Sequence, residues 1–300
     1  MELRLYRALV AVADVSSFSR AAETLSITQP ALTKQIQQLE TFIGAPVFVR
    51  GRSGAELTAL GELLLPSARE LVERADQLEA QGRRIAAGDV GQLRIGFGLS
   101  TLTIAPRAVA RFRRDHPDVR VVLDDMSSAV QVERIERCLL DVGFMRLPAP
   151  APLDSVSLET DTLAVASPAG WDPPEDAAGL VPWLDAHPVI ALAEDRGPGL
   201  SAQVRRYFAE SGSSAAPAQY ARDIQTVLAL VAAGAGVGVV PYSARRIAPQ
   251  GITLRPIRAA ASRWHVGVVW HPGRVTPVIR KFLEGVTTNA LDDSPRRSTG

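Results

Sequence analysis

The stretch from Ser19 to Gly61 most constrains this chain, because it predicts two short helices, a tight turn and a small hairpin in succession. We expect the first helix to begin at a Ser19 cap and to run to about Leu25. Thr28 is the predicted cap of the second helix. Pro30 lies in its first turn, where the missing N–H costs no hydrogen bond. This order of elements is typical of a winged helix-turn-helix, whose second helix enters the DNA major groove.

The second helix carries polar side chains near its start and an apolar stripe on another face. The stripe consists of residues at helical spacing, namely Ala31, Leu32, Ile36 and Leu39. Taken singly, each polar residue is better explained as solvated surface. Taken together at the start of such a helix, they predict hydrogen bonding to base edges, and the hairpin arginines predict phosphate contacts. The predicted DNA-binding residues are Thr28, Gln29, Pro30, Thr33, Lys34, Gln37, Arg50 and Arg52.

The same stretch resembles the N-terminal domain of the LysR-type transcriptional regulators. The matching residues are Ala21-Ala22-Glu23, the run from Thr28 to Glu40, Gly44, Phe48, Arg50, Leu57-Thr58 and Gly61. The chain departs from the family at Ser53, where the family carries a second wing arginine, and Arg52 stands one residue earlier. The resemblance implies a transcriptional regulator that binds an inverted-repeat operator as a dimer or tetramer, with RNA polymerase as a further partner.

A long helix is predicted from Thr58 to about Ala87. Four large apolar residues are spaced by seven along it, and small residues follow the first three by four: Leu64, Leu71, Leu78 and Ile85, then Ala68, Ala75 and Gly82. This alternation is typical of a coiled-coil seam and predicts pairing with a second copy over residues 64–85. The alternative is an amphipathic helix that packs on its own domain. Pro66 is expected to kink the helix or to mark its true start.

After Gly88 to Gly91, strands and helices alternate. We expect strands at 93–97, 119–123, 142–146, 162–166, 189–192, 236–240 and 266–270, and helices at 105–115, 130–140, 202–211, 224–233 and 275–283. This order predicts a mostly parallel sheet with helices on both faces, arranged as two α/β subdomains around a cleft. This half resembles the family's effector domain, which shares its architecture with periplasmic binding proteins.

Ligands bind such sheets beyond the carboxyl ends of the strands, where helix N-termini present free N–H groups. The predicted effector-binding residues are Ser100, Thr101, Thr103, Ser127, Ser128, Arg146, Gln225 and Thr226. The hydroxyl groups and Arg146 suit an anion such as a carboxylate. The alternatives are helix capping for the Ser and Thr residues, and a structural ion pair or solvent exposure for Arg146.

The whole chain is classified as α/β, with a winged helix-turn-helix at 1–58, a linker helix at 59–88 and an effector-binding domain at 89–286. Subdomain I comprises about 91–160 and 264–286, and subdomain II about 161–263. Residues 287–300 are predicted to form a disordered polar tail.

Composition limits the other possibilities. The 300 residues carry a formal net charge of +1 and a single cysteine, Cys138, so no disulfide forms within the chain. We expect Cys138 to be buried in a helix and the protein to be cytoplasmic, without a signal peptide. The histidines lack metal-ligand spacing, and no nucleophile elbow or phosphate loop is present, so no cofactor, metal or catalytic site is predicted. A solute-binding protein or an enzyme built on the C-terminal half is the alternative reading.

Overall fold

The computed structural model describes residues 2–51 and 54–292. The chain divides into two compact units, Met1–Ile85 and Ala86–Gly300. The first unit contains α1 (Leu3–Val15), α2 (Phe18–Thr24), α3 (Gln29–Ile43), a hairpin of β1 (Phe48–Gly51) and β2 (Gly54–Leu57), and α4 (Ala59–Ala87), whose last two residues enter the second unit.

The caps of the short helices follow the local sequence. The Ser17 hydroxyl, not Ser19, caps α2 by accepting a hydrogen bond from the Arg20 N–H, so the predicted cap was wrong by two residues. Thr28 caps α3 as predicted, and its hydroxyl accepts from the Ala31 N–H at 3.4 Å. Gly44 ends α3 in the left-handed conformation, with φ of +87°.

The core of the first unit lies between the helices and the hairpin. The side chains of Leu9, Val12, Ala21, Leu32 and Leu39 are fully buried there. The predicted apolar stripe of α3 is therefore its packing face, which leaves the polar residues at its start exposed.

Helix α4 begins at Ala59, so Pro66 lies inside the helix and does not mark its start. The Thr58 hydroxyl accepts from the Gly61 N–H at 3.0 Å and donates to the Pro46 carbonyl at 2.9 Å, which ties the helix start to the wing. Gly61 lies directly against the wing backbone, because a Cβ atom there would be 2.3 Å from the Val47 carbonyl oxygen.

The second unit is a nine-stranded sheet flanked by helices. Its strands are β3 (Gly91–Phe97), β4 (Val119–Asp125), β5 (Val142–Arg146), β6 (Asp154–Pro168), β7 (Val189–Leu192), β8 (Pro217–Ala221), β9 (Val237–Pro241), β10 (Ile252–Pro256) and β11 (Arg263–Trp270). Its helices are α5 (Ile104–Asp115), α6 (Ser128–Glu136), α7 (Ala177–Asp185), α8 (Pro198–Ser211), α9 (Ile224–Ala232) and α10 (Pro277–Asp292).

Two subdomains share this sheet, in the strand order β4-β3-β5-β11-β6-β9-β7-β8, with β10 also paired to β6. The three-stranded blocks β4-β3-β5 and β9-β7-β8 are parallel. The pairings of β11 and β6 that join them are antiparallel, so the sheet is mixed rather than mostly parallel. Strand β6 belongs to both subdomains, and the floor between them is formed by β6 and β11.

Several predicted boundaries were wrong. Strand β6 starts at Asp154 rather than at residue 162, and α7, β8 and β10 were not predicted. Helix α6 ends at Glu136, and Cys138 is exposed with φ of +59° rather than buried in a helix. Helix α10 runs to Asp292, so residues 287–292 are helical rather than part of a tail, and 293–300 lie outside the described residues.

Within the described residues, no helix combines the length and the apolar character that a membrane span requires.

Candidate functional site

The start of α3 presents the predicted base-contacting residues. Gln29, Lys34 and Gln37 are exposed, whereas Thr33 is half-buried and its hydroxyl donates to the Gln29 carbonyl at 2.9 Å. Thr28 and Pro30 are exposed in the cap and the first turn. The polar face of the helix is therefore open to a partner.

Helix α2 orients the first of these side chains. The Ser19 hydroxyl donates a hydrogen bond to the Gln29 Oε1 atom, with an O···O distance of 2.9 Å. Because Oε1 accepts this bond, the Gln29 amide turns its two N–H groups elsewhere, where they can donate to acceptors on a base edge. Ser19 was predicted as a cap, and its role as a positioning contact was missed.

The wing is fixed to the end of α3 by a carboxylate. Glu40 accepts hydrogen bonds from the backbone N–H groups of Val47 at 2.9 Å and Phe48 at 3.4 Å. Arg50 lies on β1 opposite Ala55, one step before the turn. Arg52 and Ser53 lie outside the described residues.

Helix α4 has two kinds of apolar residue. Ala68 is buried in the core of the first unit and Leu64 packs against that core. Further along, Leu71, Leu78 and Ile85 are exposed, with 38%, 69% and 51% of their surface accessible. The first part of the heptad pattern, up to Ala68, therefore packs in the core of the first unit. The later part, from Leu71 to Ile85, forms an exposed apolar strip.

Helix α1 runs antiparallel to α4 and is attached to it by three ion pairs. The Arg7 guanidinium contacts the carboxylates of Asp76 at 2.5 Å and Glu79 at 3.1 Å, and Arg69 contacts Asp14 at 2.5 Å. These contacts hold α1 against the middle of α4.

A cavity of about 170 Å³ lies beside β6 and β11 in the second unit, between the two subdomains. Only two of its lining residues, Ile104 and Val266, are apolar. The others are Ser100, Thr103, Glu159, Thr160, Asp161, Thr162, Tyr242, Ser243, Arg245 and Arg246. Hydroxyl groups and charges of both signs thus converge on one small space.

Two of the predicted effector residues, Ser100 and Thr103, line this cavity. Thr101 lies between them in sequence but is 1% exposed, and its hydroxyl bonds to the backbone of Gly98 and Phe144. Thr101 is therefore a structural residue in this conformation.

The remaining hydroxyl and amide candidates serve local structure or face solvent. Ser127 caps α6, and the Ser128 hydroxyl accepts from the Arg146 N–H at 3.3 Å. The Thr226 hydroxyl donates to Asp223, the cap of α9, at 3.0 Å, and Gln225 is exposed. None of these four residues lines the cavity. For Ser127 the structure supports the alternative role of a helix cap.

Arg146 lies beside the cavity, at the end of β5. Its cross-strand partner is Val266, a lining residue, so both side chains emerge on the same face of the sheet. The guanidinium carbon lies 3.6 Å from the ring centre of Trp264, and Nη1 donates to the Gly199 carbonyl at 3.3 Å. Arg146 thus reaches from subdomain I to the first turn of α8 in subdomain II.

Burial lowers the pKa of Arg146 to about 10, while the nearby Asp161 carboxylate acts in the opposite direction. The side chain stays protonated at neutral pH. Among the described residues, no carboxylate lies within 4.0 Å of its guanidinium. A partly desolvated cation that contacts an indole face and a carbonyl, with no carboxylate in ion-pair contact, favours the approach of an anion.

The cavity residues of β6 and of the turn after β9 were not predicted. Asp161 is 9% exposed; its Oδ2 accepts from the Ser243 hydroxyl at 2.8 Å and its Oδ1 from the Thr162 N–H at 2.9 Å. The Arg245 guanidinium stacks on Tyr242 at 4.2 Å. The alternation of Val156 and Leu158 with polar residues is a sequence signal for the early part of β6. No local sequence signal indicates that residues 242–246 lie near β6.

Two family models match the chain. One is described as a bacterial regulatory helix-turn-helix protein of the lysR family and matches residues 3–62. The other is described as the LysR substrate binding domain and matches residues 86–290.

Relatives and solved structures of similar length also match. The Hca operon transcriptional activator HcaR of Escherichia coli is 32% identical over 285 residues, covering 94% of this chain and 96% of that protein. The regulator IlvR of Caulobacter vibrioides is 32% identical over 294 residues, covering 96% and 98%. The structure of full-length CbnR complexed with its target DNA has a TM-score of 0.78 at 26% identity, covering 97% of this chain and all of that one.

Proposed function

The chain belongs to the LysR family of DNA-binding transcriptional regulators, and we propose that it binds an inverted-repeat operator as a dimer or tetramer and answers to a small carboxylic acid. The domains would be those predicted from the sequence, 1–58, 59–88 and 89–286. We further propose that it acts in the cytoplasm and has no catalytic activity.

DNA recognition would come from the exposed start of α3 and from the wing. Gln29, Thr33, Lys34 and Gln37 would contact bases or adjacent phosphates, and Arg50 and Arg52 would contact phosphates on the flank. The exposure of Gln29, Lys34 and Gln37, together with the capped, proline-started geometry of α3, supports this assignment.

Self-association would use the uncovered part of α4. Leu71, Leu78 and Ile85 expose apolar surface at seven-residue intervals, and the small residues Ala75 and Gly82 between them allow close helix approach. Because Ala68 is buried in its own unit, the pairing strip would start at Leu71 rather than at Leu64. Pairing two recognition helices matches the two-fold symmetry of an inverted repeat.

The observation that carries the effector proposal is Arg146. A half-buried guanidinium without a carboxylate in ion-pair contact lies beside a cavity of about 170 Å³, which is below the range of drug-sized pockets. A small carboxylate would supply the missing charge through charge-assisted hydrogen bonds. Arg146 also bonds the Gly199 carbonyl of the other subdomain, so a ligand that competes for the guanidinium would bias the subdomain arrangement.

The proposal is tested with the full-length protein and a panel of small carboxylic acids. A binding acid raises the melting temperature and changes operator affinity, and Arg146→Gln abolishes both effects. Arg137→Gln serves as the control. Arg137 is an exposed residue directly after α6, and it forms an ion pair with Glu133 at 2.9 Å. An acid that still acts fully on the Arg146→Gln variant would remove Arg146 from the site.

A further inference from the structure

The cavity carries negative as well as positive groups. Glu159 and Asp161 are two residues apart on β6, so both side chains emerge on the same face of the strand and line the cavity. Arg245 and Arg246 approach from the turn after β9. A simple carboxylic acid would satisfy the guanidinium groups but would also place its charge near two carboxylates.

The two carboxylates have no cationic partner in ion-pair contact. Among the described residues, no Lys, Arg or His nitrogen lies within 4.0 Å of either Glu159 or Asp161. Asp161 accepts one hydrogen bond at Oδ2 and two at Oδ1, the second from the Ser243 N–H at 3.3 Å. Each carboxylate oxygen has two acceptor positions, so Oδ2 retains one.

The register places the opposite charges at a distance suited to one small molecule. Arg146 is paired with Val266, and Val266 with Glu159, so the cation and the carboxylate lie two strands apart on one face. Neighbouring strands are about 4.8 Å apart, which puts the two Cα atoms about 10 Å from each other. Their side chains can thus close on a ligand that carries both charges.

We propose that the effector is a small zwitterion, such as an amino acid. Its ammonium group binds Glu159 and Asp161, and its carboxylate binds the guanidinium group of Arg146. This inference rests on the proposed carboxylate effector and narrows it. The hydroxyls of Ser100, Thr103 and Thr160 supply further polar contacts around the charged groups. The polar lining of the cavity disfavours an aromatic acid.

The test compares matched ligands on the full-length protein. The probes are the common α-amino acids, β-alanine and 4-aminobutyrate, each beside the acid in which hydrogen or hydroxyl replaces the amine. The melting temperature and calorimetric affinity are measured for each pair. At least one amino compound binds, and binds about tenfold or more tightly than its amine-free partners, because a hydrogen bond to a charged group is lost without the amine.

A variant at Glu159 tests the ammonium end of the ligand. Glu159→Gln reduces the preference for the amine by about tenfold and leaves binding of the amine-free acid unchanged or stronger. Asp154→Asn, which removes an exposed carboxylate of the same strand outside the cavity, leaves the preference intact.

The outcomes separate this inference from the broader proposal. Amine-free acids that bind as tightly as, or more tightly than, their amino partners overturn the zwitterion and leave the carboxylate effector standing. An amine preference unaffected by Glu159→Gln and by Asp161→Asn overturns the assignment to these carboxylates. No response to any acid, with or without an amine, overturns both.

Discussion

The Ser19 hydroxyl of α2 donates a 2.9 Å hydrogen bond to the Oε1 atom of Gln29, the first residue of α3. The contact joins the two helices at the start of α3, where we propose that DNA binds. It leaves the N–H groups of the Gln29 amide as donors, so the polarity of this side chain is set before DNA arrives.

We expect Gln29→Ala to lose discrimination at one base pair of each half-site, by about 1–3 kcal/mol. Ser19→Ala should relax the same position by less, since the amide is then free to rotate. Affinities for the operator and for its single-position variants, measured by fluorescence anisotropy, check this. Gln38→Ala, an exposed amide later in α3, is the control. A uniform loss over all sequences would mean that Gln29 contacts no base.

Arg50→Ala should reduce the slope of log affinity against log salt concentration by about one unit, because each phosphate contact releases a bound counterion. The position follows from β1, where Arg50 stands opposite Ala55 beside the wing turn. Arg137→Ala, a change of equal charge in the second unit, should leave the slope unaltered. If both variants have the parent slope, Arg50 is not a phosphate contact.

Leu78→Glu should dissociate the protein into monomers at micromolar concentration and abolish tight operator binding, because it places charges within the apolar strip of α4. Leu63→Glu is the matched control: Leu63 is even more exposed, at 81% against 69%, but lies outside the seven-residue repeat. Sedimentation velocity measures both. Equal dissociation by the two variants, or by neither, would contradict pairing through this strip.

Gly61→Ala should destabilise the first unit by about 1–3 kcal/mol, although alanine is the better helix former. The added Cβ would lie 2.3 Å from the Val47 carbonyl oxygen and 2.9 Å from Leu57 Cδ2. Gly285→Ala, on α10 and away from the pairing strip, meets no neighbouring atom within 4 Å and should stabilise its helix by about 1 kcal/mol. Denaturant unfolding compares them, and a Gly61→Ala variant as stable as the parent would refute the close packing of wing and linker.

Sequence reasoning worked where local chemistry decides structure. The Thr28 cap and the Pro30 first turn fix the start of α3 and Gly44 fixes its end, each through contacts with residues a few positions away along the chain. It failed where tertiary contacts override local signals. Helix α7 contains Pro182, a residue type that disfavours a helix interior, and the strand β8 is almost entirely exposed and lacks an alternating pattern.

The effector side was harder to predict for the same reason. Ser100 and Thr103 follow a recognisable strand, and the structure brings them to the cavity. Asp161 and Ser243, 82 residues apart, meet because β9 pairs with β6 and places the residues after Pro241 beside Asp161. Thr101 shows the converse, since its sequence context matches that of its neighbours but its side chain turns inward.

The most direct test of the account is selection of duplexes from a random DNA pool by the full-length protein. We expect the enriched sequences to share an inverted repeat, and we expect Gln29→Ala to lose preference at the same position in both half-sites. Enrichment of a single unrepeated element, or of no sequence at all by a folded and self-associated protein, would contradict paired recognition by α3.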